Sequence, residues 1–270
     1  MRREVVVMVA AASLLASACS RLERLSVVRP TAERGKHTQV APTYDVSDSR
    51  STMRGANADV LVRAAADLLR RGELPEAERI ARQALKADGK SADAHAVLGS
   101  VAESRGDIAG AGKHYQAAAT LAPQVGIHAN NYGAWLCANG RAAESLPWFD
   151  RALADTGYPT PLGALSNAGS CAWRAGQPQR AEASWRTVLA GQPTHAAALA
   201  GMARLQFERG QHLDARAFAE RWLAVAPVDA DGLRLAAEIE RKLGDNAAAS
   251  RYLSRLQGIP SASTTSPPAR

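Results

Sequence analysis

No catalytic signature occurs in the 270 residues. The six histidines, His37, His95, His114, His128, His195 and His212, make no H-E-x-x-H and no other close ligand pair. The spacing that would put two imidazoles on one helix face for a metal is therefore missing. Neither a G-x-x-x-x-G-K-[ST] loop nor a G-x-S-x-G elbow is present, so the usual cradle for phosphates and the exposed serine nucleophile are missing too. The expectation is a non-enzymatic chain that needs no cofactor. Long apolar runs are also absent. The longest, Val5 to Ala16, has 12 residues, whereas crossing ~30 Å of hydrocarbon takes about 20. Charge of one sign is scarce where it would matter. The formal charge is +7, yet residues 58–258 carry 23 basic against 21 acidic side chains with no basic run. Such alternation belongs to solvated helix faces, and it argues against a nucleic-acid partner.

The short apolar run has a secretory setting. Arg2 and Arg3 precede it, and Leu15-Ala16-Ser17-Ala18-Cys19 follows. This resembles a bacterial lipobox, which predicts a signal peptide over residues 1–18 and lipidation at Cys19. Leu15 lies one residue earlier than lipoboxes usually place it. Ala16-Ser17-Ala18 also suits ordinary signal cleavage, which would give a soluble periplasmic product. Ser20, where an inner-membrane retention signal would have Asp, resembles the outer-membrane class. Residues 19–57 show no sustained period and are rich in Arg, Ser, Thr, Pro and Val. They read as a flexible tether with an r.m.s. reach of roughly 35 Å. Residues 259–270 read as a disordered tail.

Between these ends, six glycines recur: Gly72, Gly106, Gly140, Gly176, Gly210 and Gly244, at spacings of 34, 34, 36, 34 and 34. Five residues after each comes a small side chain: Ala77, Ala111, Ser145, Ala181, Ala215 and Ala249. Pro123, Pro193 and Pro227 stop three of the second helices. A 34-residue period with these marks resembles the tetratricopeptide repeat, a helix A, a glycine turn and a helix B. The prediction is an all-α chain, a right-handed superhelix of about six repeats over residues 58–258. They start near residues 58, 92, 126, 162, 196 and 230. The extra pair of residues falls in Asp155-Thr156-Gly157-Tyr158-Pro159-Thr160-Pro161. Stacked repeats make extended concave surfaces, so protein binding is the expected role.

Cys137 and Cys171 remain once Cys19 is set aside. Both fall on helix A of adjacent repeats, and in an oxidising compartment they form either a disulfide or two buried thiols. Asn130, Asn131 and Asn167 also fall on helices A, with Trp173 and Arg174. Paired amides there either hydrogen-bond a bound peptide or satisfy each other. Trp173 is the aromatic expected to face a partner. Trp185 and Trp222 are expected in the core, Trp135 between repeats, and Trp148 half exposed. The basic residues that hold a C-terminal carboxylate in some such repeats are missing. Ala96, Ser100, Ala197 and Gly201 stand at the corresponding places.

Two stretches resemble a particular family. One is His128-Ala129-Asn130-Asn131-Tyr132-Gly133-Ala134-Trp135-Leu136-Cys137, continuing through Gly140-Arg141 and Glu144-Ser145 to Phe149. The other is Tyr158-Pro159-Thr160-Pro161 followed by Ser166-Asn167-Ala168-Gly169-Ser170-Cys171. They are similar to the PilF/PilW family of type IV pilus biogenesis lipoproteins. The resemblance implies an outer-membrane lipoprotein of the periplasmic leaflet that helps the secretin subunit reach the outer membrane and multimerise. Its partners would be the secretin and, through the lipid anchor, the membrane. Trp135 stands where that family tends to have Phe, and the tether is longer. A repeat lipoprotein of another envelope machine, such as a TadD-like tight-adherence pilus protein, is the alternative.

Overall fold

The computed structural model describes residues 50–258, with side chains from Asn57 onward. The expected signal peptide, Cys19, Ser20, His37, residues 19–49 of the tether and the tail 259–270 lie outside the described residues. Twelve helices and no strand occur among the described residues. They pair as α1 (Arg50–Arg70) with α2 (Leu74–Ala87), α3 (Ala92–Ser104) with α4 (Ile108–Leu121), and α5 (Gly126–Ala138) with α6 (Ala142–Ala154). The series continues with α7 (Pro161–Arg174) and α8 (Pro178–Gly191), α9 (Ala196–Glu208) and α10 (His212–Val225), and α11 (Ala230–Leu243) and α12 (Asn246–Gln257). The result is a right-handed superhelix of six tetratricopeptide repeats, odd-numbered helices being A and even-numbered helices B.

The turns within repeats are built alike. All six period-marking glycines have positive φ, between 71° and 86°, and no other residue type does among the described residues. The residue after each glycine donates its N–H to a carbonyl five positions back. Examples are Glu73 to Leu68 at 3.0 Å, Asp107 to Ala102 at 2.9 Å and Gln177 to Ala172 at 2.8 Å. This is the Schellman closure, in which a left-handed residue lets the chain reverse and satisfies the last carbonyls of the helix. Helices A start on side-chain caps at Ser91, His195 and Asp229, whose acceptors take the N–H groups of Ala94, Ala198 and Gly232. Such caps satisfy N–H groups that have no partner inside the helix. Helices α4, α8 and α10 end at Leu121, Gly191 and Val225, two residues before Pro123, Pro193 and Pro227, because the residue preceding a proline is pushed out of helical backbone.

The first helix corrects one boundary. It begins at Arg50, eight residues before the expected repeat start at residue 58, so residues 50–57 are helix and not tether. The reason lies in the local sequence. Arg50 to Asn57 holds no proline to stop a helix, and it has no apolar period to announce one.

The small residues after the turns sit inside the helix packing. Ala77, Ala111, Ser145, Ala181 and Ala215 are fully buried, which lets A and B approach. Trp185 and Trp222 are core, and Phe149 is the largest wholly buried side chain among the described residues. The Trp185 ring lies against two backbones at once. A Cβ built on Gly169 of α7 would come within 2.6 Å of it, and one on Gly201 of α9 within 2.4 Å. Trp185 therefore joins the fourth repeat to the fifth, in the cluster that also holds Cys171, Val188 and Met202.

Candidate functional site

The A helices α5 and α7 bring the three asparagines together. Asn167 Nδ2 donates to Asn130 Oδ1 at 3.2 Å, and Asn130 Nδ2 donates to Asn131 Oδ1 at 3.5 Å. All three are half-buried. The ladder spends amide groups on tying repeat three to repeat four. Of the two roles open to these residues, mutual satisfaction is the one the geometry displays.

Trp173 and Arg174 sit about two turns beyond Asn167 of the ladder, at the end of α7. They line a cleft of about 210 Å³ with Ser170, Trp185 and four residues of α9: Ala197, Ala200, Gly201 and Arg204. Trp173 is tilted 46° to Trp185, with ring centroids 6.2 Å apart. A second cleft opens beside Trp173, toward Pro178, Leu205 and Arg209. Trp173 is thus partly open on the helix-A side, while Trp185 forms the floor with its indole N–H unpartnered. The sequence did not single out Arg204 as part of this site. A signal was present, however, because Ala197 and Gly201 are small where a carboxylate-holding repeat would have long basic side chains. Small residues on α9, facing Trp173 of α7 and Trp185 of α8, leave a gap between them.

Behind this face, Cys137 of α5 and Cys171 of α7 are joined as a disulfide, with S–S 2.08 Å and Cα–Cα 5.8 Å. It links the same two helices as the asparagine ladder. The inserted loop contributes from the other end. Asp155 Oδ2 accepts the N–H of Gly126 at 2.8 Å, and its Oδ1 accepts that of Gly157 at 2.8 Å. Helix α5 has no cap of its own at Val125, so Asp155 supplies one from 29 residues away. Tyr158 buries its ring against Ala129, Ala152 and Ala164.

Outside this face the fold makes a histidine pair that is not close in sequence. His95 Nδ1 and His114 Nδ1 lie 3.0 Å apart between α3 and α4. Burial depresses both pKa values, and the His95 charge further depresses that of His114. Buried His128 reaches Asp93 at 3.2 Å, and its hydrogen bond holds that carboxyl below its usual range. No group of three or more potential metal ligands is gathered among the described residues. No described helix is long and apolar enough to cross a membrane.

Known proteins match this architecture. Two tetratricopeptide repeat family models match, one over residues 62–125 and the other over residues 172–239. The type IV pilus assembly protein PilF of Pseudomonas aeruginosa is 25% identical over 201 residues, 74% of this chain and 80% of that protein. The crystal structure of PilW, described as a widely conserved type IV pilus biogenesis factor, superposes with a TM-score of 0.68 at 33% identity. That match covers 74% of this chain and 92% of PilW. A solved structure of Pseudomonas aeruginosa PilF gives a TM-score of 0.69 at 24% identity, over 76% of this chain and 92% of that one. With a third of the aligned residues identical to PilW across nearly all of that structure, and with the same stack of repeats, the chain belongs to the PilF/PilW family of tetratricopeptide-repeat proteins of type IV pilus biogenesis.

Proposed function

We propose that this chain is a non-enzymatic scaffold, anchored through lipid on Cys19 to the periplasmic face of the outer membrane. There it would bring the secretin subunit of a type IV pilus system to the membrane and promote its multimerisation. The observation that carries the reading is the match to 92% of PilW at 33% identity. The Ala16-Ser17-Ala18-Cys19 junction supports the anchor. A singly acylated chain would bind only marginally, so stable anchoring requires a multiply acylated cysteine. The face bearing Asn130, Asn131, Asn167, Trp173 and Arg174 is the proposed docking surface, held by ladder and disulfide so that little order is lost on binding.

Secretin multimers in cell envelopes provide the test. Deleting the chain should abolish them or strand them outside the outer membrane. Cys19→Ala should release the array into the soluble periplasm and mislocalise the multimers. Unchanged multimers in the deletion strain would end the scaffold reading. A Cys19→Ala protein that stays in the membrane, beside a wild type that takes up no labelled fatty acid, would end the anchor.

A further inference from the structure

We propose that the cleft between α7 and α9 is where the scaffold's protein partner docks, taking a bulky apolar side chain that stands next to a carboxylate in an acidic segment. The inference rests on the scaffold reading and gives it a chemistry. The lining divides into two parts. Trp173, Trp185, Ala197, Ala200 and Gly201 make the walls and floor. Apart from Ser170, whose hydroxyl already donates to the Ser166 carbonyl at 3.1 Å, the polar lining residues are Arg174 and Arg204. No carboxylate lines the cleft. Arg204 meets exposed Asp231 at 3.5 Å, a loose pair in which both partners face water. Arg174 is exposed and has no ion pair among the described residues. A guanidinium offers a planar fork that fits a carboxylate, and the bond is strongest beside apolar surface that excludes water.

Size argues for a side chain. The cleft of about 210 Å³ is smaller than the roughly 300–1,000 Å³ of small-molecule sites. It is also open to solvent on one side, as a segment passing over it requires. An apolar anchor lying against Trp173 and Trp185, over Ala200 and Gly201, would supply most of the buried area, while the two arginines would select acidic flanks and reject basic ones. The asparagine ladder then stays internal, and recognition falls to the residues beyond it.

The probe is a random peptide library displayed on phage, selected against the full-length chain in detergent. Wild type should enrich sequences that place Asp or Glu beside Phe, Leu, Trp or Tyr. The double variant Arg174→Glu, Arg204→Glu should melt like wild type, since both side chains are exposed. It should bind those peptides about tenfold or more weakly and enrich Lys and Arg flanks instead. Ala200→Trp, which fills the cleft without changing charge, should lose the same peptides. Enriched sequences with no acidic bias would overturn the proposal, as would acidic peptides that bind the double variant like wild type. In cells, multimers that vanish on deletion but persist with the double variant would remove the partner from this cleft and leave the scaffold reading intact. Multimers that persist on deletion would remove the scaffold reading, and with it the cleft's assigned partner.

Discussion

Gly201 and Gly112 show how much a missing Cβ depends on its neighbour. Both are helical glycines beneath a tryptophan. A Cβ on Gly201 would stand 2.4 Å from Trp185, and one on Gly112 would stand 2.2 Å from Trp135. Trp185 is 2% exposed and packed among core side chains between α7 and α9, beneath the cleft. Trp135 is half exposed, and a single hydrogen bond to the Ile108 carbonyl at 3.1 Å holds its indole N–H. Overpacking a closed core costs roughly 1–3 kcal/mol, and replacing a helical glycine by alanine returns about 1. Gly201→Ala should therefore destabilise by up to about 2 kcal/mol and by more than Gly112→Ala, which stays within about 1 kcal/mol as Trp135 swings outward. Chemical denaturation of the two variants checks this, and equal losses would contradict it. The six turn glycines were legible in the sequence because a positive φ is a local need that recurs with the period. Gly169 and Gly201 were not, because their need arises from a ring on the neighbouring helix α8. Asp155 was seen only as part of an insertion, since its capping role appears once α5 comes beside it.

Helix pairs carry two further expectations. His95 and His114 join α3 to α4 through facing Nδ1 atoms, an arrangement that needs at least one imidazole neutral to accept. Their folded pKa values lie below the ordinary 6.5, so the unfolded chain takes up protons first as the pH falls. Stability from this pair is thus complete above about pH 6.5 and is lost as the pH drops through the lower folded values. Arg82 adds to the depression of His114, while Asp107 and Glu78 oppose it. The melting temperature should fall between about pH 7.5 and pH 5.5. His114→Gln, whose amide can still donate to His95, should flatten that slope, and an unchanged slope would assign the loss to other groups. The second expectation concerns α5 and α7. Replacing Cys137 and Cys171 by Ser together opens a loop of 34 residues, and in the chain-entropy model this should cost roughly 3–4 kcal/mol. Mass mapping of the unreduced protein checks the bond directly, and free thiols at both positions would contradict it. At this scale the sequence was legible wherever the glycine period ran. The early start of α1 was not, because residues 50–57 lack the period, and the histidine pair was not, because it joins positions 19 apart on separate helices.

Across the whole array, each repeat touches its neighbours and the stack supplies the core that no single repeat has. The period made six repeats, their phase and the placement of Trp185 and Trp222 readable in advance. The candidate site was readable in part. Trp173 and Arg174 were visible on the inner face of α7, but the cleft depends on how α9 lies against them and on side chains that are small rather than distinctive. The Cys137–Cys171 bond has a topological consequence as well. It closes a ring that contains all of α6 and the inserted loop from Asp155 to Thr160. A protease nick at exposed Thr156 or Gly157 would cut the backbone inside that ring. The two pieces should migrate as one species on an unreduced denaturing gel and separate when a thiol is added, so severing the chain at this loop would not sever the molecule.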